Sequence, residues 1–325
     1  MFVVEIIIGL VLLSVGANFL TDGAASIAKK LKMSEFMIGA TIVAIGTSMP
    51  ELVVSLTGAL SGQSEIAIGN VVGSNVFNVY AILGLTTMIM PMTLTEQNVK
   101  RDIPICLATT ILVILLALDQ TIWGGATNVI GRVDGIVLLL GYVIFLRYMI
   151  RNGREAQPAS QPDHEPQTIA TKPSFSSRTW GAVVMVVAGL GGLIWGSDLF
   201  LDGSIKFARL VGLSEAVISI VLVAVGTSLP ELFAALVPAL KGKSDMALGN
   251  ILGSNIANIL LILGSSSTVI PLHLGGITPL DMGVMLSAVV AVLLSAYIIG
   301  RKKIVRIEGA IFFAIYVCYT LWLLR

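Results

Sequence analysis

Two glutamates, Glu51 and Glu231, each close the same short phrase inside an apolar stretch. Gly46–Pro50 reads GTSMP before Glu51, and Gly226–Pro230 reads GTSLP before Glu231. A carboxylate in hydrocarbon is costly and needs a role or a partner. The proline beside it lacks a backbone donor and clashes with the preceding turn. Carbonyls near Ala44–Thr47 and Ala224–Thr227 are therefore expected to lose their helical partners, and at membrane depth something must satisfy them. A dehydrated cation would do so. A plain proline kink, patched by the Thr47 or Ser48 hydroxyl, is the rival reading. A glutamate beside the kink, present twice, favours the cation.

A second duplicated phrase supplies more oxygen. Gly69, Asn70, Gly73, Ser74, Asn75 and Asn78 recur as Gly249, Asn250, Gly253, Ser254, Asn255 and Asn258. Ser74 and Asn78 are four apart and share a helical face; Asn70 lies a turn back on that face, and Asn75 is rotated away. The glycines, four apart, predict close helix packing in both copies. Two carboxylates, hydroxyls, amide oxygens and freed carbonyls are all hard donors, with no His or Cys among them. That set suits Ca²⁺, Na⁺ or Mg²⁺ and disfavours zinc or copper. Mg²⁺ gives up water reluctantly, so a nearly dry cage fits Ca²⁺ and Na⁺ better.

The elements that hold these residues must be membrane helices. The chain has 325 residues, of which 56% are hydrophobic and only 12% charged, and its mean hydropathy is +0.94. An ordinary soluble domain carries about 25% charged residues. Windows long enough to cross a bilayer fall at roughly 2–28, 36–60, 66–90, 103–119 and 130–150, then at 179–205, 214–240, 246–270, 279–299 and 305–324. The first lacks a basic leader and reads as a retained span. Residues 151–178, rich in Pro, Gln, Ser and Thr, read as a flexible linker. With the N-terminus outside, all but Arg132, Lys206, Arg209 and Arg325 of the 20 Lys and Arg fall on the inner side. The positive-inside bias therefore places both termini outside the cell and the linker in the cytoplasm.

The repeat aligns without a gap from Gly16/Gly196 through Pro91/Pro271. Five spans per copy is an odd number, so the second copy enters from the opposite side. The expected fold is an all-α membrane protein of ten transmembrane helices: a first five-helix repeat over 1–150, the cytoplasmic linker, and a second, inverted repeat over 179–325. Such architectures belong to secondary transporters, with the site near the midplane where the halves meet.

The other polar residues read as structural. Asp22 and Asp202 belong at the interface, and Asp198 is a weak candidate for the interior. Ser34–Glu35, Ser214–Glu215, Ser64–Glu65 and Ser244–Asp245 look like helix caps with an acid in the first turn. Cys106 and Cys318 show no disulfide or metal spacing, and His164 and His273 match no ligand pattern.

With these residues in view, both copies resemble the alpha repeats of the calcium/cation antiporter superfamily, to which sodium/calcium exchangers belong. The matching phrases are GTSMPE with GNVVGSNVFN, and GTSLPE with GNILGSNIAN. The resemblance implies exchange of Ca²⁺ for Na⁺ across the plasma membrane (in a bacterium, the inner membrane) by alternating access, usually with three Na⁺ per Ca²⁺. It further implies Glu51 and Glu231 as shared ligands, Thr47 and Thr227 supplying carbonyls to Ca²⁺ and coordinating Na⁺, and Ala44 and Ala224 carbonyls at flanking Na⁺ sites. Ser48, Ser228, Ser74 and Ser254 would complete the Na⁺ shells, with Asn78 and Asn258 lining the centre. Potassium-dependent members carry an aspartate where this chain has Asn258, which argues against K⁺ co-transport. The proton-coupled branch usually has an extra acid in the GN segment that is missing here, which weighs against H⁺ coupling; a Ca²⁺/H⁺ antiporter using the same glutamates is the alternative. No nucleophile–base pair or phosphate-cradling loop suggests an enzyme. The expected partners are the two ions and the bilayer, without cofactor or nucleic acid; oligomeric state is left open.

Overall fold

The computed structural model describes residues 2–124, 127–152, 179–211, 224–298 and 302–323. It is all-helical apart from four two-residue strands. Seven helices are long and apolar enough to cross a membrane: α1 (Phe2–Leu31), α4 (Ser64–Ile89), α6 (Arg132–Asn152), α7 (Thr179–Leu210), α10 (Ser244–Val269), α11 (Pro279–Ile298) and α12 (Arg306–Leu323). An eighth crossing is the bent pair α2 (Glu35–Thr47) and α3 (Met49–Leu60), which meet at 47°. Shorter apolar helices are α5 (Ile103–Ala117) and the pair α8 (Ala224–Thr227) and α9 (Leu229–Leu240). The expected span 214–240 thus reduces to α8 and α9, its first part lying outside the described residues. So do most of the linker, Ser214, Glu215 and His164.

α4 and α10 form the centre, and 94% of the α10 window is buried. α1, α6, α7 and α12 surround them and turn rows of Val, Ile and Leu outward. α1 and α7 run antiparallel along each other on a seam of small residues. A Cβ on Gly189 would stand 2.5 Å from the Leu20 nitrogen, and one on Gly9 would stand 2.6 Å from the Phe200 nitrogen. Gly9, Gly16 and Gly23 are seven apart, as are Gly189, Gly196 and Gly203. One face of each helix is thereby bare enough for backbones to touch. Gly62 and Gly242 turn the chain after α3 and α9 with φ +75° and +76°, the left-handed region in which glycine has no Cβ penalty.

The strands pair across the repeat. β1 (Met92–Thr93) pairs with β4 (Lys303–Ile304), and β2 (Val129–Ile130) pairs with β3 (Leu272–His273), both antiparallel.

Several expectations need correction. Ser34 does cap α2, its hydroxyl accepting from the Met37 N–H at 3.2 Å. Ser64 and Ser244 instead lie within the first turns of α4 and α10, whose caps are Gln63 and Lys243 without a side-chain cap bond. Asp198 is on the exposed face of α7 and does not reach the interior. Asp22 lies within α1, nine residues before its end, ion-paired to Lys241 at 2.7 Å, and Asp202 is exposed.

Candidate functional site

The helix break at Ser48 follows from Pro50. The Ser48 N–H still bonds the Ala44 carbonyl at 3.0 Å, and helical bonding resumes with Leu52 N–H to the Ser48 carbonyl at 3.1 Å. The Ala44 carbonyl also accepts the Thr47 hydroxyl at 3.3 Å. It is therefore not freed; within the expected range Ala44–Thr47 the lost donor belongs to Pro50, and the carbonyl that loses its ordinary helical donor at this break is that of Gly46. Its mate behaves differently: the Gly226 carbonyl accepts the Ser197 hydroxyl of α7 at 2.5 Å. The position equivalent to Ser197 is Ala17, which has nothing to donate. Ala224 begins α8.

Just past each break the glutamate enters the first turn of its helix, α3 or α9. Glu51 is 1% exposed and Glu231 2%. The two are tied by reciprocal bonds across the halves: Ser48 Oγ donates to Glu231 Oε1 at 3.1 Å, and Ser228 Oγ donates to Glu51 Oε1 at 3.2 Å. The other oxygen of each carboxylate, Glu51 Oε2 and Glu231 Oε2, has no partner. Among the described residues no Lys, Arg or His ion-pairs with either acid. Two neighbouring carboxylates with unpaired oxygens and no counter-charge are an expensive arrangement in low dielectric.

α4 and α10 close the ring. Ser74 Oγ lies 3.5 Å from Ser228 Oγ, whereas its mate Ser254 is fully buried with an unpartnered hydroxyl. Asn78 Nδ2 donates to Asn255 Oδ1 at 3.0 Å, while Asn78 Oδ1 and Asn258 Oδ1 have no partner. Both central asparagines sit at a change of pitch: π-helical turns run over Phe77–Leu83 and Asn258–Leu263. Such turns cluster at functional sites. Thr47 is fully buried, its hydroxyl 3.2 Å from the Val43 carbonyl and 3.4 Å from Asn250 Oδ1, and Thr227 is half-buried.

The structure thus brings Glu51, Glu231, Ser48, Ser228, Ser74 and Thr47 into one connected cluster, with Asn78, Asn258 and Ser254 on the central helices beside it. It adds residues that the sequence reading left outside the ligand set. Asn70 Nδ2 donates to the Glu51 carbonyl at 3.2 Å and to Ser55 Oγ at 2.9 Å; Asn250 Nδ2 donates to the Glu231 carbonyl at 3.2 Å. These amides orient the glutamates' backbone, and their recurrence in both GN phrases was the signal for them. Asn75 does point away, toward the Met285 sulfur at 3.7 Å, yet its mate Asn255 bridges the halves by bonding the Asn75 carbonyl at 3.4 Å.

The glycines of the two GN phrases also part company. A Cβ on Gly253 would stand 2.4 Å from the Ala40 Cα, and one on Gly249 2.3 Å from the Phe36 carbonyl, so this copy is a tight seam against α2. Gly73 meets nothing within 4 Å. It lines a cavity of ≈ 100 Å³ with Asn70, Ser74, Tyr316, Tyr319 and Thr320. The expected packing seam is thus present at Gly249 and Gly253, while among the described residues nothing packs on Gly73.

The model for the sodium/calcium exchanger protein family matches residues 1–151 and 181–325. The chain belongs to the sodium/calcium exchanger family. It is 37% identical over 316 residues to a candidate antiporter, CaxA, of Alkalimonas amylolytica, covering 97% of this chain and 96% of that one. It is 32% identical over 337 residues to the sodium/calcium exchanger MaX1 of Methanosarcina acetivorans, with coverage of 97% and 96%. Among solved structures it superposes on the sodium-calcium exchanger NCX_Mj, soaked with zero Na⁺ and Ca²⁺, with a TM-score of 0.83. That match has 32% identity and covers 99% of this chain and 98% of that one. As a family member the chain is a multi-pass membrane transporter of cations, Ca²⁺ among them, and not an enzyme.

Proposed function

We propose that this family member exchanges Ca²⁺ for Na⁺ by alternating access across the plasma membrane, with Glu51 and Glu231 as ligands shared by both ions. The observation that carries this reading is the pair of crossed serine–carboxylate bonds. They hold the two acids at one place while leaving one oxygen of each unpaired. A cluster of charge about −2 is neutralised by one Ca²⁺ or shared by several Na⁺, and crossing empty would expose an uncompensated charge to hydrocarbon. That penalty couples the ions. Ser48, Ser228, Ser74, Ser254, Thr47 and Thr227 would offer oxygens to Na⁺, with Asn78 and Asn258 facing the central position. The Gly46 carbonyl takes the flanking role first expected of Ala44, and by the same count from Pro230 the Gly226 carbonyl takes that first expected of Ala224.

The fold in this reading is ten spans, counting α5 and the α8–α9 pair, as two inverted repeats of five about a linker. The strand pairing supports it: β1 and β3, 180 residues apart, each pair with a strand from the opposite half. The cations Lys100, Lys241, Lys243 and Lys302, each paired with an acid, all lie on the inner side of the positive-inside assignment, which puts both termini outside. On that assignment the Gly73 cavity opens outward and the Gly249–Gly253 seam closes the inner route.

The test is ⁴⁵Ca²⁺ flux into vesicles driven by an opposed Na⁺ gradient. Flux is expected in the native chain and absent when Glu51→Gln and Glu231→Gln are combined; undiminished flux in that variant sinks the assignment. Ca²⁺ movement driven by a pH step without Na⁺ would select the proton-coupled reading instead.

A further inference from the structure

A groove of ≈ 530 Å³ lies on the outer wall of the bundle between α5 and α6, away from the ion site. Its sides are Ile105, Ala108 and Leu112 of α5 and Ile144, Phe145 and Tyr148 of α6, and its floor is Gly141 with Leu260 of α10. It exists because Gly141 and Ala108 are too small to fill the space between the two helices. A Cβ on Gly141 would only just touch Leu260 Cδ2, at 3.5 Å.

One end of the groove is apolar and lies at membrane depth; the other carries Lys100 and Arg101. Arg101 is paired with Asp102 at 2.7 Å, and Lys100 with Glu96 at 2.5 Å. The Lys100 hydrogen bond holds the Glu96 carboxyl below its usual range, so it stays ionised. Two further cations tip the balance. Lys302 stands 3.7 Å from Glu96 and is 58% exposed, and Arg151 lies on the same α6 face as Ile144 and Tyr148, exposed and without an ion pair among the described residues. Lys100, Arg101, Arg151 and Lys302 against Glu96 and Asp102 leave a net positive mouth above an apolar slot. All four cations fall on the cytoplasmic side by the positive-inside assignment, where anionic headgroups attract basic clusters.

We propose that this groove binds an anionic glycerophospholipid of the inner leaflet. Its phosphate would sit among Lys100, Arg101, Arg151 and Lys302, and one acyl chain would lie along Ile105, Leu112, Ile144 and Phe145 onto Leu260. The floor gives the site a consequence. Leu260 lies within the π-helical turn that begins at Asn258, so the bound chain presses on the segment that presents Asn258 to the ion cluster. Lipid occupancy therefore stabilises that turn and supports transport.

The purified full chain is reconstituted in vesicles of phosphatidylcholine alone or with added phosphatidylglycerol. Retained lipid is read by native mass spectrometry, which does not depend on transport, and Ca²⁺ flux is read in parallel. Phosphatidylglycerol should be retained preferentially. Gly141→Leu or Ala108→Phe, which fill the groove from opposite walls, should reduce its retention to the level of phosphatidylcholine. Arg151→Gln and Lys302→Gln should each weaken retention about fivefold, equivalent to ~1 kcal/mol per cation. An anionic surface also concentrates Ca²⁺ on its own, but that effect is the same in native and groove-filled chains and cancels in their comparison. Equal retention of the two lipids, or undiminished phosphatidylglycerol in both groove-filling variants, overturns the proposal. Preserved lipid retention without any Na⁺-driven Ca²⁺ flux would instead overturn the ion-exchange reading and leave the groove standing.

Discussion

Replacing one glutamate should separate the two ions. In Glu51→Gln the side chain keeps its shape, and the Ser228 hydroxyl 3.2 Å away can rotate to accept from the new amide, so the ring is retained while its charge falls from about −2 to −1. A unit charge about 4 Å from a carboxylate at an effective dielectric near 20 is worth ~4 kcal/mol, and a divalent ion feels twice that. Ca²⁺ thus loses ~4 kcal/mol more than Na⁺, roughly a thousandfold at 1.4 kcal/mol per decade. Glu231→Gln should do the same, because the Ser48 bond of 3.1 Å is its counterpart. Direct ⁴⁵Ca²⁺ and ²²Na⁺ binding to detergent-solubilised protein measures both losses in one preparation. The double variant should lose Ca²⁺ affinity further, since removing the second charge removes a second Coulomb term, offset by no more than the ~0.5–3 kcal/mol of coupling between contacting residues. Equal losses for the two ions, or a Ca²⁺ loss under about tenfold, would refute a shared site whose selectivity rests on charge.

Three further outcomes follow from packing and hydrogen bonding. Gly253→Ala should impair folding or transport, since its Cβ would meet Ala40 at 2.4 Å, whereas Gly73→Ala should be tolerated in the same thermal-stability and flux assays. Gly189→Ala should force α1 and α7 apart at ~1–3 kcal/mol, while Gly191→Ala, with nothing within 4 Å, leaves the melting temperature unchanged. Ser197→Ala removes the donor to the Gly226 carbonyl; about 1 kcal/mol of stability should be lost in salt-free buffer and regained on Na⁺ addition, which a purely structural bond would not permit.

Much of the cluster was legible because duplication writes it twice. A single buried glutamate beside a proline is ambiguous, and two in register with two sets of amides are not. What remained hidden was how the copies differ. Ser197 has Ala17 as its mate, a mismatch visible in sequence, but only the fold shows its hydroxyl reaching the Gly226 carbonyl across from another helix. The π-helical turns at Asn78 and Asn258 are invisible in sequence, because a wider turn uses the same residue types as an ordinary helix and leaves no local compositional mark. The proline clash marks the range Ala44–Thr47 in sequence, and counting four residues back from Pro50 narrows it to Gly46. The Asp198 and Ser64 readings failed because the sequence cannot say which face of a helix meets lipid or where its first turn begins.

The unequal use of equal sequences bears on mechanism. Gly69–Gly73 and Gly249–Gly253 belong to near-identical phrases, yet one copy borders a cavity and the other is sealed against α2. Most of the segment that corresponds to α2 in the second half, 215–223, lies outside the described residues, so the difference holds among the described residues. On the alternating-access reading proposed above, the molecule would have two states, and the exchanged one would seal the first phrase and open the second. The crossed serine–carboxylate bonds sit between those two routes and join the halves. A change of state that moves the halves must strain or remake them, and a cation held by both carboxylates can keep the acids together while it does. Binding energy for the ion is then spent on the crossing itself, so a halved charge should slow exchange even at saturating Na⁺.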